Sequence, residues 1–227
     1  MGKTYAIVTA AGSGRRLGSK IPKQYLSLAG KPLVVYSLET LNNYSKIDGI
    51  VLVVGAGWED TGYRLKDQYE ITKLTAVVTG GSTRQASVYR GLQVLPENTE
   101  IVLIHDAARP FITGELIGQM VAAARRTGAA APALPVKDTI KVADSNGLVH
   151  SSPDRSCLFA VQTPQSFVCS IILEAHEKAA KEGFTGTDDA MLVEWMSLPV
   201  ELVVGDEQNI KITTSLDLKL AELLVRK

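Results

Sequence analysis

The sequence predicts an α/β fold of three layers, a doubly wound and mainly parallel sheet with helices on both faces and one β-hairpin arm inserted into it. Three observations predict this. Short β-rich runs alternate with amphipathic helix-like stretches along the 227 residues. The runs are apolar nearly throughout instead of alternating with polar residues, as strands buried on both faces are. Their βαβα order makes successive strands parallel, joined by helical crossovers.

In chain order, Tyr5–Thr9 reads as the first strand and Leu33–Leu41 as the first helix. Ile50–Val54 and Ala76–Thr79 read as the next strands, with Arg84–Val94 as the helix that follows them. Ile101–Ile104, helix Leu116–Arg126 and strand Ala129–Leu134 continue the alternation. Helices Ile171–Lys181 and Ala190–Trp195, strand Glu201–Val204 and helix Leu216–Val225 complete it. Between them Val136–Leu158 is polar, alternates at Thr139-Ile140-Lys141-Val142 and turns at Asp144-Ser145-Asn146-Gly147. Asn-Gly between alternating runs signals a hairpin. This segment reads either as an oligomerisation arm projecting from the fold or as a plain surface excursion. The whole, residues 1–227, is read as one domain with 136–158 as its arm.

Composition narrows the partners. Twenty-four basic and twenty-four acidic residues balance, so there is no general field for nucleic acid or membrane surface, and an anion site must be a local cluster. Cys157 and Cys169 have no metal-ligand spacing and read as reduced thiols. No signal sequence or membrane span is legible, and the protein is expected to be soluble and cytoplasmic.

Ligands of doubly wound sheets bind at the carboxyl ends of the strands. The loops after Thr9, Thr79 and Ile104 therefore carry the search, and they hold the densest Gly, Arg and Asp clusters. The first runs Ala10-Ala11-Gly12-Ser13-Gly14-Arg15-Arg16-Leu17-Gly18, then Ser19-Lys20-Ile21-Pro22-Lys23-Gln24. Small residues let backbone amides approach phosphates, and Arg15, Arg16, Lys20 and Lys23 add cations. It reads as a polyphosphate cradle, the alternative being a structural glycine turn with solvated charges. The spacing fits neither a P-loop nor a dinucleotide fingerprint, because Leu17 stands where each would place its next glycine. No acid follows Val54 to hold a ribose, which weighs against a dehydrogenase. After the third strand, Gly80-Gly81-Ser82-Thr83 precedes a helix start whose amides can read a base edge or a phosphate. After the fourth, Asp106 at a strand end can hold ribose hydroxyls or a nucleotide-borne Mg²⁺. His105 is structural or a base, and the lack of a nucleophile pattern favours the former. Arg109 is either a site residue or half of a buried Arg–Asp pair.

Taken together, AAGSGRRLGSKIPKQY, GGSTRQASV, HDAARPF, DTIK, TPQSF, TGTDDA and NIKITTSLDLKLAE resemble the 2-C-methyl-D-erythritol 4-phosphate cytidylyltransferases of non-mevalonate isoprenoid synthesis. The resemblance runs in order from Ala10 to Glu222. Ribitol 5-phosphate cytidylyltransferases share most of these motifs, and Ala10-Ala11-Gly12, HDAARP and Thr187-Asp188-Asp189-Ala190 favour the erythritol family. The length is short for a form fused to the later cyclase. The resemblance implies a Rossmann-like nucleotidyltransferase fold and a homodimer in which the arm crosses to the neighbour. It implies CTP and a sugar-alcohol phosphate as substrates, with Mg²⁺ on the triphosphate.

By position, the resemblance makes Arg16 and Lys23 the transition-state cations. Ala10, Ala11, Gly12, Gly81, Ser87 and Asp106 become nucleotide contacts, with Ser13, Gly14, Ser82 and Ala107 beside them and Arg84 supporting the loop. Thr139, Arg155, Thr163, Thr187 and Lys211, together with Arg109, fall on the acceptor side, Arg155 and Lys211 holding its phosphate. Asp106 is also the one candidate metal contact. Thr139 and Arg155 would serve the neighbouring subunit. Ser82 stands where some relatives carry an acid. A non-catalytic nucleotide-binding regulator is the alternative of another class, and it would have no need of Arg155 and Lys211.

Overall fold

The structure, a computed structural model, describes residues 2–12 and 21–226. β1 (Lys3–Ala10) is followed by β2 (Ser27–Leu28), β3 (Lys31–Pro32), α1 (Leu33–Asn43), β4 (Gly49–Val54) and α2 (Glu59–Gln68). Then come β5 (Leu74–Thr79), α3 (Arg84–Leu92), β6 (Thr99–Asp106), α4 (Gly114–Thr127) and β7 (Ala129–Pro135). The remainder is β8 (Val142–Ala143), β9 (Val149–Ser151), β10 (Phe159–Val161), β11 (Gln165–Val168), α5 (Cys169–Glu182), α6 (Ala190–Trp195), β12 (Glu201–Val204) and α7 (Ser215–Val225).

The main sheet runs β10-β7-β11-β6-β1-β4-β5, with β12 also on β7. β6, β1, β4 and β5 are mutually parallel, as is the β7–β12 pair. Successive side chains of β1 point to opposite faces. Ala6, Val8 and Ala10 pack with residues of α1, α2 and α4, whereas Ile7 packs with residues of α3, α5 and α6. That is the expected three-layer arrangement, and it explains why the strands read as continuous apolar runs. Ile7 is wholly buried, so Ile7→Ala carries a cost of about 3 kcal/mol from lost burial and cavity.

Two elements depart from the expectation. β11, antiparallel to both β6 and β7, lies inside the sheet where only a loop motif was read. It is four residues long and places polar Gln165 and Ser166 in the core, so it has no apolar pattern to find. α2 was also missed, because only Gly62 and Leu65 of its ten residues are buried and no apolar stripe forms. Thr83, Thr113 and Thr214 cap α3, α4 and α7 with their side-chain oxygens.

Segment 136–158 makes the expected hairpin. β8 and β9 pair only with each other, around a turn in which Asp144 Oδ1 accepts the Asn146 and Leu148 amides at 2.9 Å each. Among the described residues no helix is long and apolar enough to cross a membrane.

Candidate active site

Register decides where the site forms. Thr9 pairs with Asp106, Ala10 with Val54, and Val54 with Thr79, so the carboxyl ends of four parallel strands finish level. The loops leaving β1, β5 and β6 wall a cleft of about 500 Å³, of a size to hold a nucleotide. Two glycines allow the walls to meet. A Cβ on Gly80 would fall 2.5 Å from Ala11 Cβ, and one on Gly81 would fall 2.5 Å from Ala86 Cβ. Neither position has room for a side chain.

On the opposite wall a short 3-10 turn carries Lys23 and Gln24. The Lys23 ammonium donates to the Ile212 carbonyl at 3.1 Å. Buried Gln24 spends its amide hydrogens on the carbonyls of Ala10 and Gly12, bracing the start of the glycine loop.

A chain of opposite charges runs inward from the cleft. Asp106 Oδ1 accepts from Arg84 Nε at 3.1 Å and from the Thr9 hydroxyl at 3.3 Å, while Oδ2 accepts from Lys211 Nζ at 2.6 Å. Arg84 Nη1 then donates to Asp189 Oδ2 at 2.7 Å, and His176 Nε2 lies 3.3 Å from Asp189 Oδ1. Burial alone would push the Asp106 carboxyl up, but Arg84 and Lys211 outweigh it and hold the group well below the usual carboxylate range. Desolvation likewise works against ionised Asp189, and Arg84 and His176 reverse it. Arg84 loses solvation too, yet its two carboxylate partners raise its pKa above the ordinary value. The pairs are therefore ionised at neutral pH, with no carboxyl proton available for general acid chemistry.

Behind Asp106, His105 is wholly buried. Its Nε2 lies 3.0 Å from the Arg109 carbonyl, which can only accept, so that nitrogen carries the proton. Nδ1 then accepts from the Thr163 hydroxyl at 3.1 Å, and Thr163 Oγ1 accepts the Asp106 amide at 3.0 Å. Burial pushes the His105 imidazole down to about 4. His105 is thus a structural brace for Asp106.

The sequence candidates divide between this cleft and its surroundings. Ala11, Gly12, Lys23, Gly81, Ser82, Arg84, Ser87, Asp106, Ala107 and Lys211 all line the cleft. Ala10 is buried at the end of β1 beneath it. Ser13, Gly14 and Arg16 lie outside the described residues. Thr163 is buried with its hydroxyl committed as above. Arg109 forms no Asp pair; its guanidinium donates to the carbonyls of Asn209 (2.7 Å) and Val161 (3.4 Å). Thr187 is exposed, with its amide and hydroxyl toward Met191 Sδ. Thr139 and Arg155 are exposed on the hairpin segment, where Arg155 Nη1 donates to the Lys137 carbonyl at 2.8 Å. That bond brings Arg155 to the opposite side of the hairpin, two residues from Thr139.

Sequence reading missed Thr9, Gln24, His176 and Asp189. Gln24 stood inside a quoted motif beside Lys23, and Asp189 beside a helix start in another. The signal that finds Asp189 is its contact with Arg84 across 105 residues, which spacing does not contain.

A family model described as 2-C-methyl-D-erythritol 4-phosphate cytidylyltransferase matches residues 4–227. The chain belongs to this family. It is accordingly a cytidylyltransferase, a nucleotidyltransferase enzyme with the Rossmann-like fold. Among curated relatives, the 2-C-methyl-D-erythritol 4-phosphate cytidylyltransferase of Desulforamulus reducens is 45% identical over 100% of this chain and 97% of its own. That of Geobacillus thermodenitrificans is 48% identical over 97% of this chain and 96% of its own. Among solved structures, the 4-diphosphocytidyl-2C-methyl-D-erythritol synthase of Anaerococcus prevotii superposes with a TM-score of 0.88 at 33% identity, covering 100% of this chain and 97% of that one. The 2-C-methyl-D-erythritol 4-phosphate cytidylyltransferase of Thermus thermophilus gives 0.80 at 33% identity, over 97% and 98%.

Proposed function

We propose that the chain transfers the cytidylyl group of CTP to 2-C-methyl-D-erythritol 4-phosphate, releasing pyrophosphate, in the cytoplasmic non-mevalonate route to isoprenoids. The observation that carries this reading is the cleft itself, lined by close-packed glycines and by Lys23, Arg84 and Lys211, the last two on the Asp106 carboxylate. An acceptor phosphate oxygen attacks the α-phosphorus, the α–β bridging bond breaks, and its electron pair leaves on pyrophosphate. An ionised phosphate is already a nucleophile, so no base is needed, in keeping with ionised Asp106 and Asp189. Catalysis is then positioning and charge stabilisation. Lys23 neutralises charge on the α- and leaving phosphates, a role that the resemblance gives to Arg16 as well.

Lys211 is two-fifths exposed at its side chain, so it can turn from Asp106 toward an incoming phosphate. Asp106 then becomes available to ribose hydroxyls or a cation. A divalent ion fits as a companion of the nucleotide: among the described residues no cluster of three or more His, Cys, Asp or Glu could hold one, and Asp106 is the only acid lining the cleft. Mg²⁺ accepts such company, taking one carboxylate with substrate phosphates and water, and when bound it neutralises triphosphate charge. We place the acceptor between Lys211, Thr187 and the Thr139–Arg155 pair of a neighbouring subunit's arm. Thr163 and Arg109 support that half from behind.

The deciding experiment is a pyrophosphate-release assay crossing the four NTPs with methylerythritol phosphate, ribitol 5-phosphate and hexose 1-phosphates. Release with CTP and methylerythritol phosphate alone is expected. Preference for ribitol 5-phosphate would move the assignment to its relatives, and no release with any pair would favour a nucleotide-binding regulator.

A further inference from the structure

The wall of the nucleotide cleft formed by 81–87 is bolted to the 184–189 loop, which carries Thr187. Arg84 Nη1 binds Asp189 Oδ2 at 2.7 Å. The adjacent Gln85 donates to the Phe184 carbonyl at 3.1 Å and accepts the Gly186 amide at 3.1 Å. Asp189 is 1% exposed and is held from behind by His176, itself 1% exposed, while Gln165 Oε1 accepts both the Asp189 and Ala190 amides. Arg84 in turn fixes Asp106, so a displacement at 184–189 reaches the cleft through one guanidinium. That guanidinium also has a buried Nη2 without a partner among the described residues, and the two carboxylates are what orient it there.

We propose that Asp189 is a positioning residue that couples acceptor binding to nucleotide binding through Arg84. The inference rests on the reading above, which puts the acceptor at Thr187. Acceptor bound at Thr187 restrains the 184–189 loop, the restrained loop fixes Asp189, and Asp189 sets Arg84 and Asp106 in the geometry the nucleotide needs. Whatever free energy the first substrate spends on this ordering, the second is spared, and by linkage the effect is mutual.

The test is binding of α,β-methylene CTP, whose α–β bridge cannot be cleaved by the reaction, with Mg²⁺ present, by titration calorimetry with and without saturating methylerythritol phosphate. In the wild-type protein the acceptor should tighten the analogue by roughly 5- to 100-fold, the usual span of coupling between sites. In Asp189→Asn the ratio should fall to about twofold or less, whatever happens to the thermal midpoint, since a merely structural role shifts the midpoint and leaves the ratio alone. Gln85→Leu, which removes two bonds and no charge, should give an intermediate ratio, and it carries the test if Asp189→Asn does not fold. An unchanged ratio in the folded variants overturns the proposal, as does a wild-type protein that binds both ligands independently. A wild-type protein that binds neither ligand removes the cytidylyltransferase reading itself.

Discussion

The cleft and the 136–158 hairpin are built on opposite principles. Among the described residues of the cleft, the two carboxylates meet partners from distant parts of the chain: Asp106 meets Arg84 and Lys211, and Asp189 meets Arg84 and His176. In the hairpin the side-chain bonds between described residues close locally, apart from an exposed pair between Lys137 and Glu207. Three of its apolar residues, Val142, Leu148 and Val149, are exposed at 47%, 67% and 59%. Buried carboxylates paired with cations make a preorganised site, whereas exposed leucine and valine on a short hairpin make a surface to be covered. Under the proposed function, the nucleotide half of the site lies within one chain and a second copy completes the acceptor half.

The largest effect should come from the cleft. Lys23→Ala is expected to lower kcat by roughly two to four orders of magnitude, as loss of a charge stabiliser at a transferring phosphoryl group does. Its circular dichroism spectrum should match wild type. Near-normal turnover would mean that the preorganised charges of the cleft do not act on the reacting phosphates.

A smaller and different effect is expected from the hairpin. Leu148→Asp should change unfolding of the isolated chain by only about 0.5 kcal/mol, because the side chain is exposed there. It should nonetheless convert dimers to monomers in sedimentation velocity and cut activity at low protein concentration. A variant that stays dimeric and active would show that the hairpin's apolar surface is not covered by a second copy.

A third effect is one of acidity, and its main source is a buried residue behind the cleft. His105 has a folded-state pKa of about 4 against an ordinary 6.5, so the unfolded chain takes up a proton that the folded one refuses. The stability this confers is full above pH 6.5 and is lost as pH falls from 6.5 to 4, by about 3 kcal/mol in all. Asp106 and Asp189, both held low, add further loss below the ordinary carboxylate range. Urea midpoints measured between pH 7 and 4 should fall along this course, and His105→Gln should flatten it above pH 4.

How far the sequence could be read follows the same division. Parallel strands announce themselves as continuous apolar runs, and the loops at their carboxyl ends are candidates by position alone, which is how Gly81, Asp106 and the glycine loop were found. β11 escaped because its buried Gln165 bonds the Asp188 carboxylate and the Asp189 and Ala190 amides, tertiary work that no local pattern encodes. Asp189 and His176 escaped for the same reason. The hairpin was legible from its Asn146-Gly147 turn because its structure is local. Thr163 falls on the acceptor side by resemblance; only the fold reveals that it braces His105, and that Arg109 braces the carbonyls of Asn209 and Val161.

The central claim, a nucleotide half from one chain and an arm from another, is tested most directly by mixing two inactive variants. Lys23→Ala and Arg155→Ala should each be nearly inactive alone. After subunit exchange, random pairing makes half of the dimers mixed, and two-fold symmetry gives each mixed dimer one site in which both residues are intact. Activity should return to about a quarter of the wild-type value per chain, with a tagged pull-down confirming that mixed dimers formed. Mixed dimers that form and stay inactive would place Arg155 in its own chain's site and contradict the shared arrangement.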